Sequence, residues 1–210
     1  MSTSRTLLGQ GAEAFVYFDE YVLKERLRKR YRYSTLDETL RKSRTRREAK
    51  IMEKLSSLIP VPLLLSVDDA SMTITMTHIP GELLRLALFR LDRDEAAPLF
   101  ARIGKYVSLM HAAHIVHGDL TTSNMVYNGE DVVLIDFGLD FVTQKVEDMA
   151  VDLHLFRQAL ESAHHSMWQD LLSAFLQGYS LWEAAPAVLH RLEKVDSRGR
   201  YKHRLPETAL

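Results

Sequence analysis

Apolar and polar residues alternate in short runs at the start of the chain. Thr6–Gly9 and Ala14–Phe18 flank a glycine-containing turn, and Asp19-Glu20 then turns the chain into a third run, Tyr21–Glu25. The expected result is a β-ribbon with a third strand. From Leu36 to Leu58 the period changes. Ile51, Met52, Leu55 and Leu58 fall at i, i+1, i+4 and i+7 on one helix face, and Pro60-Val61-Pro62 ends the segment. Leu63–Val67 and Met72–Thr77 predict two more strands around Asp68–Ser71, with Pro80-Gly81 stopping the second. Beyond Gly81 the pattern is helical over Glu82–Arg90 and Asp92–Ala113, where Leu99, Ile103, Tyr106, Val107 and Met110 form a stripe. A hairpin interrupts it, Met125–Tyr127 and Val132–Ile135 joined by Asn128-Gly129-Glu130-Asp131. Helices resume over Ala150–Leu160, Met167–Leu176 and Leu181–Val195. The predicted class is α+β: a small sheet-plus-helix lobe over 1–80, a mostly helical lobe over 81–195, and a basic tail over 196–210.

Composition narrows this picture. With 210 residues, 46% of them hydrophobic and 26% charged, the chain can bury a core, which excludes wholesale disorder and collagen-like repeats. The longest runs without Asp, Glu, Lys or Arg are 13 residues, Leu55–Val67 and Tyr106–Gly118, too short to cross a bilayer. No membrane partner is expected. The first residues lack the apolar stretch of a secretory signal, so a cytoplasmic location is expected, with the nucleus added if the source is eukaryotic. There is no cysteine, so thiolate zinc sites and cysteine nucleophiles are excluded.

The net charge of −1 conceals a segregation. Residues 24–50 hold twelve basic against four acidic residues, and residues 191–204 hold six against two, leaving −13 for the remainder. An anionic partner at the basic segments follows: nucleic acid, nucleotide phosphates or an acidic protein face. For any single arginine, a solvated helix face is the more ordinary reading.

The strongest chemical signal is His117-Gly118-Asp119-Leu120-Thr121-Thr122-Ser123-Asn124, followed after the hairpin by Ile135-Asp136-Phe137-Gly138. A hairpin brings its own ends together, so Asn124 and Asp136 are candidate ligands of a hard cation, and oxygen donors of this kind suit Mg²⁺. Asp119 is the candidate catalytic carboxylate, placed to orient a hydroxyl or water. The order and spacing resemble the catalytic and metal loops of the protein-kinase-like superfamily, which implies a bilobal kinase-like fold that binds ATP with Mg²⁺.

The first lobe supplies matching parts. Gly9-Gln10-Gly11-Ala12-Glu13-Ala14, with Val16, resembles a glycine-rich phosphate loop, although Ala14 stands where a third glycine is usual and Glu13 puts an acid beside the phosphates. Val22 and Lys24 share a strand face, next to an adenine-sized apolar surface. Glu48 shares its helix face with Ile51, Met52 and Leu55, and an acid on a buried face requires a cation. Lys24 is preferred for that role over an i,i+4 surface pair between Arg44 and Glu48. Met76–Ile79, with Thr77 and Ile79, is the expected hinge touching adenine through backbone groups. Asp152 is expected to brace the catalytic loop. Gly118 replaces the usual arginine before the catalytic Asp, and only thirteen residues separate Gly138 from Asp152, so activation-loop switching and a peptide-docking platform are not expected.

These departures narrow the comparison. Gln10–Ala14, Lys24–Arg32, Leu36-Asp37, Arg44–Ala49, His117–Asn124, Asp136–Leu139, Glu147–Leu153 and a terminal Arg198-Gly199-Arg200 together resemble the small atypical kinases of the KEOPS complex, the PRPK family. The resemblance implies an ATPase and Ser/Thr kinase that docks on a threonylcarbamoyl-transferase subunit and a small regulatory subunit. Its partners would make threonylcarbamoyladenosine on tRNA, which could meet the basic segments. Tyr201 and His203 depart from a fully basic tail. Two other readings stay open: a small-molecule phosphotransferase, since His-Gly-Asp-x4-Asn also resembles aminoglycoside and choline kinases, and a nucleotide-dependent scaffold with little activity.

Overall fold

Short alternating segments pair into one antiparallel sheet, and a longer helical segment packs against it. The computed structural model describes residues 5–11 and 13–202, with side chains as far as Ser197; Ala12 of the expected phosphate loop and His203 of the tail lie outside the described residues. The elements in order are β1 (Thr6–Gln10), β2 (Ala14–Phe18), β3 (Val22–Arg26), α1 (Ser34–Ser56), β4 (Leu64–Asp68), β5 (Thr73–Met76), β6 (Glu82–Leu83), α2 (Leu84–Ala87) and α3 (Arg93–Ala112). There follow β7 (Ile115–Val116), a 3-10 turn at Thr122–Asn124, β8 (Met125–Tyr127), β9 (Val132–Leu134), β10 (Phe141–Val142), α4 (Val146–Ala163), α5 (Trp168–Tyr179) and α6 (Ala185–Lys202). They form two compact units, Met1–Glu82 with Val126–Asp140, and Leu83–Met125 with Phe141–Leu210.

The first unit is built on an antiparallel sheet in the order β1-β2-β3-β5-β4. Register aligns Val16 with Lys24 and Lys24 with Ile74, so these side chains share a face. On α1 the buried apolar set is Ala49, Ile51, Met52 and Leu55. Leu58 was expected in that stripe but is exposed, because α1 ends at Ser56. The amides of Leu58 and Ile59 both return to the Leu55 carbonyl, and this tightening puts Ile59 into the core instead. Hairpin β8–β9 completes the unit. The Asn128 side-chain oxygen accepts from the amides of Glu130 and Asp131, fixing the turn, and the Leu134 amide donates to Pro60 O at 3.1 Å.

The second unit is a helical core. Phe100 of α3, Phe156 of α4 and Phe175 and Tyr179 of α5 form a buried aromatic column with centroid spacings of 4.6 to 6.2 Å. Helices α3 and α5 meet through glycines: a Cβ on Gly104 would lie 1.9 Å from Phe175 O, and one on Gly178 1.8 Å from Ala101 O. Asp92 caps α3 in a reciprocal capping box with Glu95.

Three segments differ from the sequence expectation. Glu82–Arg90 forms only β6 and the four residues of α2 rather than one helix. Strands β7 and β10 pair with each other and were not anticipated, since two residues are too few to display alternation. Helix α6 starts at Ala185, not Leu181, and runs through Val195 to Lys202, so the first tail residues are helical. Its apolar stripe ends near Leu192, but polar contacts continue: Arg191 pairs with Glu147, and Asp196 accepts from His154 and Arg157. Among the described residues no helix is long and apolar enough to cross a membrane.

Candidate active site

In the first unit the chemistry gathers around a buried lysine. Lys24 points from β3 toward α1 and donates from Nζ to Glu48 Oε1 at 2.6 Å and to Asp136 Oδ1 at 2.6 Å. Burial alone would push its ammonium down, but the charges and hydrogen bonds of Glu48 and Asp136 outweigh that and hold it above the ordinary lysine value. Lys24 is therefore a fixed cation. Glu48 is itself fully buried, and its second oxygen accepts from Arg26 Nη2. Sequence reasoning missed Arg26, although a second basic residue two positions along the same strand shares the face of the first.

The other expected residues of this half take the following places. Gly9 and Gln10 end β1 opposite Val16 and Phe15, and the Gly11 amide donates to Ala14 O at 2.9 Å, closing the turn. The carboxylate of Glu13 accepts from Arg44 Nη1 at 2.7 Å, so Arg44 is engaged there, while the two Glu48 oxygens are taken by Lys24 and Arg26. Val22 pairs with Met76 across the sheet. Thr77 follows β5 directly. Its amide donates to Leu63 O at 3.0 Å and its hydroxyl accepts from the Leu63 amide at 2.9 Å, so Thr77 N–H is already committed; Ile79 is half-buried.

Asp136 follows β9 with φ of 63°, a left-handed conformation that costs a non-glycine residue about 1 kcal/mol or more. The strain falls on a candidate metal ligand. Its carboxylate is half exposed and accepts from Lys24 and from the Gly138 amide at 3.2 Å.

Four residues on, Asp140 is fully buried and neither of its oxygens has a hydrogen-bond partner. Arg47 Nε lies 3.6 Å from Oδ1. Burial, and then the charge of Glu48, push the carboxyl up to about 7 against the pull of Arg47, Lys24 and Arg26. A carboxyl raised in this way holds a proton in the folded state that the unfolded chain has already released. Stability therefore falls as pH rises from about 4 to about 7, and the full cost remains above that. Asp140→Asn is expected to raise the melting temperature at about pH 8 by a few degrees, roughly 1 kcal/mol, and to give a smaller gain at about pH 5. Thermal melts of both proteins at the two pH values check this, and a gain at the acid pH alone would contradict it.

In the second unit the loop after β7 carries Asp119 and Asn124. Asn124 Nδ2 donates to both Asp119 O and Asp119 Oδ2 at 2.8 Å, fixing an exposed carboxylate relative to its own loop. Asp152, buried on α4, accepts from the amides of His117 at 3.1 Å and Gly118 at 2.9 Å. His111 Nε2 also lies 3.3 Å from Asp152, and His111 Nδ1 lies 2.8 Å from the Tyr179 hydroxyl. Burial pushes the Asp152 carboxyl up, but His111 and then His117 more than offset it and hold the group below the ordinary range. The same burial pushes the Tyr179 phenol far up. No sequence signal links His111 and Tyr179 to this loop, because they lie on separate helices without a shared motif. Gly118 sits at φ of 76°, so a side chain there would be strained, which gives the absence of the usual arginine a backbone reason. Thr122 and His164, 3.0 Å apart and buried, anchor the far end of the loop.

Within the first unit, the Asp136 carboxylate beside an ammonium kept charged is donor chemistry that suits a nucleotide phosphate and a hard cation; within the second, Asn124 offers a neutral carboxamide oxygen. Among the described residues no three His, Asp or Glu side chains collect into a metal cluster, so phosphate oxygens and water would complete a cation's shell.

Comparison with known proteins agrees with the geometry. The sequence profile of the RIO domain matches residues 9–154. The KEOPS complex subunit Bud32 of Pyrococcus abyssi is 36% identical over 213 residues, covering 94% of this chain and 97% of the relative. The EKC/KEOPS complex subunit BUD32 of Encephalitozoon cuniculi is 42% identical over 193 residues, covering 91% and 93%. A probable bifunctional tRNA threonylcarbamoyladenosine biosynthesis protein of Methanothermobacter thermautotrophicus is 37% identical over 201 residues, and the chain spans 36% of its length. The expected α+β kinase-like class is correct, and the protein is kinase- or ATPase-like in the atypical sense that the RIO domain carries. The chain belongs to the RIO-domain family and, within it, to the family of the KEOPS complex subunit Bud32.

Proposed function

We propose that the chain is the Mg²⁺-ATP-dependent kinase and ATPase subunit of a KEOPS complex, a Ser/Thr kinase by chemistry, supporting threonylcarbamoyladenosine modification of tRNA by a partner transferase. The observation that carries the reading is the buried Lys24, held charged between Glu48 on a helix and Asp136 after a hairpin. A structural salt bridge needs one partner; a phosphate clamp needs a brace and a metal ligand on either side. In this reading residues 1–80 bind nucleotide, 81–195 carry the catalytic loop, and the tail from 196 meets partners. Asp119 orients the attacking hydroxyl or water, Asn124 and Asp136 hold Mg²⁺, and Lys24 clamps the phosphates with Glu48 as its brace. The bound cation supplies neutralisation of phosphate charge. Gly9–Ala14, with Val16, Val22, Thr77 and Ile79, enclose the rest of the nucleotide. The transferase and a small regulatory subunit are the protein partners, and the complex acts in the cytoplasm, or also the nucleus of a eukaryote.

The test is hydrolysis of ATP by the purified chain, alone and with its complex, across a Mg²⁺ titration. Asp136→Asn is expected to raise the Mg²⁺ requirement at least about tenfold, since one charged ligand is lost. A wild-type chain without ATP turnover in either setting, or a variant with an unchanged Mg²⁺ curve, would defeat the assignment.

A further inference from the structure

The segment between β3 and α1 reads Arg28-Lys29-Arg30-Tyr31-Arg32-Tyr33, and the nucleotide chemistry uses none of it. It is a built surface. The Lys29 carbonyl accepts from the Arg32 amide at 3.1 Å, so Arg30 and Tyr31 occupy the centre of a turn. Asp37, fully buried in the first turn of α1, anchors it by accepting from the Lys29 amide at 3.1 Å and from Arg41 Nε at 2.8 Å, with Arg32 Nη1 at 3.8 Å. Burial pushes the Asp37 carboxyl up, but Arg41, the Lys29 amide and Arg32 outweigh it and keep the anchor ionised.

On this anchored turn Leu27, Arg28, Arg30 and Arg32 line an open concavity of about 570 Å³. Among the described residues neither Arg28 nor Arg30 has an ion-pair partner. Tyr31 and Tyr33 are 78% and 86% exposed, the two most exposed large apolar side chains described. The Arg32 guanidinium lies 5.3 Å from the Tyr31 ring centroid, which braces that ring. An acidic protein face would need the arginines but not two solvent-held rings. Duplex RNA would likewise use the charges alone, because its bases are already stacked. Arginines alternating with exposed aromatic rings suit phosphates joined to bases that are free to stack.

We infer that the Arg28–Tyr33 turn is a binding platform for unpaired RNA, its arginines taking backbone phosphates and Tyr31 and Tyr33 stacking on bases. This deepens the proposed role in tRNA modification and rests on it only for the identity of the RNA. Neither tyrosine belongs to the nucleotide machinery, so ATP turnover is left intact when they change.

The test uses the full chain and two fluorescent probes, a short oligouridylate and an RNA duplex of equal length, titrated at several salt concentrations. Replacing both tyrosines by leucine is expected to weaken oligouridylate binding roughly ten- to a hundredfold, with the salt slope kept and phenylalanine at both positions restoring affinity. Replacing Arg28 and Arg30 by glutamine is expected to flatten the slope by about 1.4, two phosphates at about 0.7 each. Unchanged oligouridylate affinity in the leucine variant, or duplex bound as tightly as single strand, would overturn the platform. MgATP turnover in the same preparations separates the two readings: RNA binding lost with turnover retained supports the platform, whereas a chain that hydrolyses ATP yet never binds oligouridylate overturns the platform and leaves the enzymatic proposal standing.

Discussion

Asp119→Ala is expected to lower kcat for MgATP turnover by roughly 10²- to 10⁴-fold while nucleotide affinity stays within a few-fold of wild type. The expectation combines exposure with restraint. The carboxylate is exposed, so it is not part of the core, yet Asn124 Nδ2 holds both its side chain and its own carbonyl at 2.8 Å. A group that is solvent-facing and still fixed in orientation suits a proton-accepting or water-orienting role, in which position matters more than basicity. Nothing in its contacts supports the helices, so the variant should melt with the wild type. Equilibrium nucleotide binding and single-turnover kinetics separate the steps. Loss confined to affinity would move Asp119 from chemistry to binding, and unchanged kcat would remove it from the site.

Much of this arrangement is legible in the sequence, for physical reasons that differ by element. The pairing of Lys24 with Glu48 was legible because both residues lie on periodic elements, a strand of period two and a helix of 3.6, and each faces the core. Arg26 follows from the same strand periodicity, but assigning it required knowing that Glu48 presents two oxygens to two cations. Loop contacts are another matter. Glu13 lies in a glycine-rich turn, and its pairing with Arg44 of α1 has no signature in the sequence. A turn residue's direction depends on dihedral angles that residue types alone leave open.

The boundaries show the same division. Leu58 fits the helical stripe of α1 on spacing, and the chain departs from that spacing because the helix tightens after Ser56 and offers Ile59 instead. Helix α6 continues beyond its apolar stripe because Asp196 still meets His154 and Arg157 of α4. Apolar periodicity registers burial but not polar contacts between helices. Asp140 illustrates the limit most sharply. Nothing in the residues around it marks Asp140 as buried without a hydrogen bond; the raised carboxyl keeps its proton up to about pH 7, and Arg47, Lys24 and Arg26 offset part of the cost of ionising it.

Asp152→Ala is expected to destabilise the chain by about 3–5 kcal/mol, a fall of roughly 6–20 °C in melting temperature for a domain of this size. The carboxylate is fully buried and serves three donors at once: the amides of His117 and Gly118 and the ring of His111. Alanine would leave two backbone N–H groups without an acceptor beneath the loop that carries Asp119, and would deprive His111 of one of its two partners. The pH dependence gives a second handle. Because the folded carboxyl is held below its ordinary value, its contribution is complete above about pH 4 and is lost as pH falls through the folded value. The gap between wild type and variant should therefore be full near neutrality and narrow on acidification. Thermal melts across that range check it, and a constant gap would mean that packing rather than charge carries the effect. Asp152→Asn discriminates further. It keeps one acceptor oxygen, so it should retain part of the stability while still loosening the loop at Gly118, whose amide donates to Asp152 Oδ1 at 2.9 Å. A folded Asn variant with reduced kcat and unaltered nucleotide affinity would then identify Asp152 as a positioning residue acting through the loop.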